Sequence, residues 1–153
     1  MLDFLCISSN IDSNITFEDI NKKDVVFVLG QVSSQLSSRI LSEISGEKYS
    51  LMPMEGFECF NLKTFNKGNI KIGGLSTTLS NNKKITSFLT QQNELSILLL
   101  DENPENNPLI MNYIYLEQPK YIFFNSPLQT NKKVGNTRLI GLSTFSVEKY
   151  FTS

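Results

Sequence analysis

The sequence predicts a layered α/β domain, and three observations carry that expectation. Short aliphatic or β-branched runs recur along the chain, helical stretches stand between them, and several of the runs are continuously apolar rather than alternating. Continuous apolarity marks strands covered on both faces, which is the condition of a sheet flanked by further layers. The chain has 153 residues, room for a single domain over 1–153, and no repeat, low-complexity linker or composition break divides it.

Leu2–Ile7 (LDFLCI) reads as a buried strand because it is short, apolar and closed by Ser8, Ser9 and Asn10. Val25–Leu29, bounded by Asp24 and Gly30, reads as a second. Between them Ile15–Ile20 leaves space for barely two helical turns. Val32, Leu36, Ile40, Leu41 and Ile44 repeat at spacings of three and four, so a helix is predicted over Ser33–Ser45, stopped by Gly46. Tyr49–Met52, Phe57–Leu62 and Ile70–Leu75 are β-like, with Lys67-Gly68-Asn69 as a turn before the third. Ile85–Leu89 fits a helical turn or two. Leu95–Leu100 is a further buried strand cut off by Asp101–Pro104, and Pro108 opens a helix through Leu116. Tyr121–Phe124 is a strand ending at Asn125-Ser126-Pro127. Lys132–Val134 and Thr137–Leu142 flank Gly135-Asn136 as a hairpin.

Composition narrows the chemistry. Residues are 40% hydrophobic, enough for a core, and the net charge of −1 gives no overall attraction to nucleic acid or membranes. The chain has no histidine, which excludes every triad or metal centre built on imidazole. Cys6 and Cys59 are too few for a disulfide framework or a thiolate zinc site, and their apolar flanks predict buried free thiols. The longest aliphatic run is far too short to cross a bilayer, and the N-terminal stretch lacks the pattern of a signal peptide. A soluble, cytoplasmic protein without membrane insertion is expected. Ser33, Ser34, Ser37 and Ser38 have no histidine to activate them and read as a helix cap with solvent-facing neighbours. Ile72-Gly73-Gly74 lacks the Gly-Lys-Ser/Thr of a phosphate loop and reads as a strand end or bulge.

In a layered α/β domain ligands gather beyond the carboxyl ends of the strands. The loops there, in order, are Ser8–Asn14, Gly30–Ser34, Pro53–Gly56, Asp101–Pro104 and Asn125–Leu128. Their order and spacing, with the closing VGNTRLIGLSTFS, resemble the small calcineurin-like metallophosphoesterases over nearly the whole chain. The resemblance implies a single α/β/β/α sandwich, and it also shows what has been lost. Ser9 and Ile11 stand where that family has aspartate and histidine. Gly30 is kept, but Gln31 replaces the metal-bridging aspartate. Glu55 and Gly56 occupy the asparagine and histidine positions, Glu102 replaces a histidine, and Ser126 and Leu128 replace two more.

Two divalent cations about 3.5–4 Å apart require an anionic bridge, and a neutral glutamine carbonyl is a poor one. Glu55, Asp101 and Glu102, with Asp12 nearby in sequence, are the remaining acids around the former site. The expectation is therefore a pseudoenzyme without cofactor or metal, acting as a scaffold subunit on a protein partner. The apolar candidates for its contact surface are Met52, Met54, Phe57 and Tyr113–Leu116. Two alternatives stand beside it: a residual single-metal phosphodiesterase on Glu55, Asp101 and Glu102, and an accessory protein contacting RNA or DNA alongside a partner through Lys132, Lys133 and Arg138. In the former metal pocket, Ser9, Gln31, Glu55, Glu102 and Ser126 are expected to converge, the neutral groups donating to the carboxylates.

Overall fold

The computed structural model describes residues 2–12, 14–18, 21–92 and 94–150, with the backbone alone for 145–150. Apolar strands too continuous to leave either face in water dictate the architecture. The first sheet holds β1 (Leu2–Ile7), β2 (Val25–Val28), β3 (Glu47–Ser50), β4 (Glu58–Cys59) and β11 (Phe145–Tyr150), in the order β11-β1-β2-β3-β4. The second holds β5 (Lys63–Lys67), β6 (Ile70–Leu75), β7 (Ile97–Leu100), β8 (Tyr121–Asn125), β9 (Thr130–Val134) and β10 (Thr137–Leu142), in the order β5-β6-β7-β8-β10-β9. β1 through β4 run parallel, as do β6, β7, β8 and β10; β11, β5 and β9 are antiparallel to their neighbours.

Three apolar clusters stack these elements into four layers. Phe4 and Phe27 from the first sheet meet Ile72, Leu99 and Phe123 from the second in the layer between the sheets. Leu5, Val26 and Val28 point the other way and pack on α1 (Ser34–Glu43) through Leu36 and Ile40. Leu98, Leu100 and Ile122 cover the outer face of the second sheet against α2 (Asn82–Thr90) and α3 (Pro108–Glu117). Strands sandwiched in this way have no polar face to show, which is why VVFV and ILLL are buried at every position. The α/β class and the two-sheet layering follow from that burial.

Aromatic rings set the spacing of the inner layer. Phe27 meets Phe60 with centroids 4.8 Å apart, Phe4 meets Phe123 edge-on at 6.0 Å, and Tyr49 stacks on Phe27 at 5.7 Å. Gly74 on β6 faces this layer, where a Cβ would overlap both the ring of Phe60 and its carbonyl oxygen. Of the glycine pair in the sequence, Gly74 makes room for Phe60 and Gly73 lies against Leu95 and Phe88 on the other face, both regularly paired with β5 rather than in a bulge.

Helix boundaries follow local chemistry. The Ser33 hydroxyl accepts from the Leu36 amide at 3.1 Å, Asn81 caps α2 through Lys84, and Asn107 caps α3 ahead of Pro108. Gly46 sits at φ +104°, a region glycine occupies without penalty, and turns the chain from α1 into β3. Several expectations need correction. β3 begins at Glu47, not Tyr49, because Glu47 and Lys48 pair with Val25 and Val26 although they are charged. The strand expected over Phe57–Leu62 shrinks to Glu58–Cys59, since Phe60 turns into the inner layer and Leu62 adopts φ +60°. Cys59 is therefore exposed on a short edge strand, not buried; Cys6 is buried as expected. β5 and β11 are additional strands. The helical turns expected over Ile15–Ile20 lie partly outside the described residues. Among the described residues no helix is long and apolar enough to cross a membrane.

At the end opposite the strand termini, Asp24 ties the sheets together. It accepts the Asp3 amide at 2.9 Å and pairs with Lys67 of β5 at 2.9 Å, and these contacts hold its carboxyl below the usual range. A depressed carboxylate contributes its stability above the unfolded-state value, about 3.9, and loses it as pH falls through the lower folded value. Asp24→Asn should cost about 0.5 kcal/mol near neutrality, screening keeping it small, and the difference from the parent should close in acid; denaturant midpoints across pH check this. Gly74→Ala should cost about 2–4 kcal/mol by overpacking. Gly135→Ala, where φ is +58° but no atom lies closer than 3.7 Å to the added Cβ, should cost about 1 kcal/mol. Urea unfolding of the two variants measures the contrast.

Candidate functional site

Because the central strands of both sheets are parallel, their carboxyl ends come out on one side, and the loops that follow them enclose one large open cleft. Its volume is about 820 Å³. Gly30 and Gln31 line it after β2, Met52 after β3, Asp101–Asn103 after β7 and Asn125–Leu128 after β8, with Thr78, Asn106 and Thr130 completing the wall. The topology thus brings together Gln31, Glu102, Ser126 and Leu128 of the sequence-predicted site, with the retained Gly30.

Asn125 closes the floor. Its Oδ1 accepts from the Ser8 hydroxyl and the Ser9 amide, both at 2.8 Å, and its Nδ2 donates to Ser9 Oγ at 2.7 Å. One amide side chain at the end of β8 therefore bridges to the end of β1 in the other sheet. Gly30 permits that closeness: a Cβ there would stand 2.9 Å from Ser9 Cβ and 3.0 Å from Asn125 Nδ2. The Asn10 side chain adds a bond to the Ser126 carbonyl at 2.8 Å. Ser9 occupies its place by pairing with Asn125, and it does not line the cleft.

Asp101 is the buried acid, and a loop absent from the sequence reading satisfies it. The Ser76 hydroxyl donates to Oδ2 at 2.7 Å, the Thr77 amide to Oδ1 at 3.0 Å, the Thr77 hydroxyl to Oδ1 at 3.1 Å and the Thr78 amide to Oδ2 at 3.3 Å. Asn61 steadies the same loop by accepting the Ser76 amide at 2.7 Å. A carboxylate wrapped in backbone and hydroxyl donors serves as a structural clamp between β6 and β7. Glu102 beside it is exposed and, among the described residues, receives only long contacts, 3.3 Å from the Thr77 hydroxyl, whose one proton it shares with Asp101, and 3.4 Å from the Thr78 hydroxyl.

The remaining predicted positions lie elsewhere. Ile11 is buried against the α1 face. Glu55 is exposed outside the cleft wall, and Gly56, at φ +84°, abuts Leu41 of α1. The expected convergence thus fails for Ser9 and Glu55, because Pro53–Gly56 folds toward α1 and Ser9 is claimed by Asn125. The donors to the carboxylates are Ser76, Thr77 and Thr78, not Ser9, Gln31 and Ser126. Ser126 Oγ instead accepts the Leu128 amide at 3.3 Å. A signal was present: Ser-Thr-Thr follows β6 as Asp-Glu follows β7, on adjacent parallel strands.

Two further groupings separate. Among the described residues no three aspartate, glutamate, histidine or cysteine side chains gather as a metal site, so Glu55, Asp101 and Glu102 do not come together as the single-metal alternative requires. Nor do Lys132, Lys133 and Arg138 form one basic patch. In the β9–β10 register Lys133 lies opposite Arg138 and Lys132 opposite Leu139, so the lysines fall on opposite faces. Lys132 is engaged by Glu105 at 2.7 Å. Of the apolar candidates, Tyr113 and Ile114 are core, Met54 and Phe57 pack against the α1 face, and Met52 is half-buried at the cleft. Tyr115 and Leu116 are the exposed candidates, at 60% and 72%, and Leu128, outside that set, is 72% exposed at the cleft.

Asp101→Asn turns one acceptor into a donor facing donors, so it should destabilise the fold by about 1–3 kcal/mol. Glu102→Gln should stay within about 0.5 kcal/mol. Thermal unfolding compares the two, and equal effects would deny Asp101 its structural role. No protein-family model matches this chain, and no curated protein matches it in sequence.

Proposed function

We propose that this chain is a metallophosphoesterase-type sandwich whose catalytic centre has been replaced, and that it serves as a protein-binding scaffold subunit. The observation that carries the reading is the composition of the strand-end cleft. At the place where a layered α/β fold concentrates its chemistry, the wall offers neutral amides, hydroxyls and Leu128. Its one buried carboxylate is already saturated by four donors from Ser76–Thr78. Hard cations seek several charged oxygens, and a lone exposed Glu102 is a weak offer. Recognition is the use left to such a surface, and the exposed Leu128 at its edge supplies apolar area for it.

Two measurements test this. With manganese or magnesium added, hydrolysis of bis(p-nitrophenyl) phosphate should not exceed the protein-free rate. Metal-dependent turnover that disappears in Glu102→Gln would overturn the reading. In native extract of the source cells the chain should migrate in an assembly larger than itself, and Leu128→Asp should release it. A free monomer there would equally count against a scaffold.

A further inference from the structure

The cleft has a charge character of its own. Among the described residues its only charged wall residues are Asp101 and Glu102, both acidic, and neither lysine nor arginine lines it. Lys132, two residues beyond the wall residue Thr130, is held by Glu105. A phosphate group entering here would meet like charge with no cation to offset it, so the cleft disfavours the anions that a phosphoesterase site attracts. The preference is inverted.

The two acids differ in what they can offer. The four donors fix Asp101 in place. Glu102 has only hydroxyl contacts of 3.3 and 3.4 Å, and a charged donor would readily compete with them. Around it stand amide side chains whose carbonyl oxygens can accept further N–H bonds, Gln31, Asn103 and Asn106. The same cleft carries Met52, Pro127 and Leu128, the last 72% exposed. A carboxylate with neutral acceptors beside apolar groups matches a cation borne on a hydrocarbon stem. The cleft is open rather than enclosed, so the cation can arrive attached to a chain.

We infer that this cleft receives an arginine side chain of the protein partner, its guanidinium on Glu102 and its methylene stem against Met52, Pro127 and Leu128. The inference rests on the scaffold reading above and names the kind of group that the partner presents. Arginine is chosen over lysine because its planar fork can engage a carboxylate and neighbouring amide oxygens together.

The test is an amide-resolved NMR titration of the full chain with the capped tripeptide Leu-Arg-Leu. Its counterpart Leu-Glu-Leu, spermidine and inorganic phosphate are titrated separately. The arginine peptide should shift the amides of Gln31, Asn103 and Asn125 in a saturable way, and Leu-Glu-Leu and phosphate should not. Glu102→Gln, whose spectrum elsewhere should match the parent, should weaken binding about tenfold. Absence of shifts at millimolar arginine peptide, equal response to both peptides, no loss in Glu102→Gln, or the same shifts with phosphate would overturn the inference. Saturation by spermidine without any response to the arginine peptide would overturn it too, leaving a site for free amines. A chain that sits in an assembly yet ignores the arginine peptide loses this inference and keeps the scaffold reading. A free monomer that binds the peptide loses the scaffold reading and the assignment of the arginine to a partner.

Discussion

The contact on which the rest of this structure depends is the aromatic layer between the two sheets. Phe4 meets Phe123 at 6.0 Å and Phe27 meets Phe65 at 6.1 Å, so each sheet is keyed to the other by rings that cannot slide without opening voids, and Phe60 from the connection between the sheets packs on Phe27 at 4.8 Å. Phe60 fits only because Gly74 has no side chain in its path. Burial of a phenylalanine is worth roughly 1.5–3 kcal/mol, and several share this layer. Once the sheets are registered face to face, the carboxyl ends of β2, β3, β7 and β8 must emerge together. The cleft is a geometric consequence of that registration.

What fills the strand ends is hydrogen-bond accounting. Loops that close over parallel strand termini carry amides and carbonyls with no ladder partner. Two side chains resolve much of this. Asn125 takes both an amide and a hydroxyl from the end of β1, across the sheet interface. Asp101 takes two amides and two hydroxyls from the loop after β6, on the neighbouring strand. Each stands on a rigid strand end, where in a reactive site a ligand or acid would be aimed outward. Here both are turned to holding loops. The cleft keeps its shape, and among the described residues Glu102 is the exposed carboxylate on its wall.

The sequence alone determined the layered class, because runs such as VVFV and ILLL have no polar face to leave in water. It also determined the starts of α1 and α3, since Ser33 and Asn107 bond within three residues of themselves, whereas α2 begins at Asn82, ahead of the Ile85–Leu89 run expected to be helical. Lack of histidine was legible without any fold, and so were the loops at the strand ends. Tertiary structure decided the rest, and the reason is range. β5 and the first two residues of β3 are polar and exist as strand because a neighbour offers them a ladder, as Val25 does for Glu47, and local composition hides them. The fate of Ser9 depended on Asn125, 116 residues away. Asp101 depended on Ser76, 25 residues away, and Glu55 left the cleft because its loop follows α1. The separation of Lys132 from Lys133 came from strand pleating, which places adjacent residues on opposite faces wherever the chain is extended.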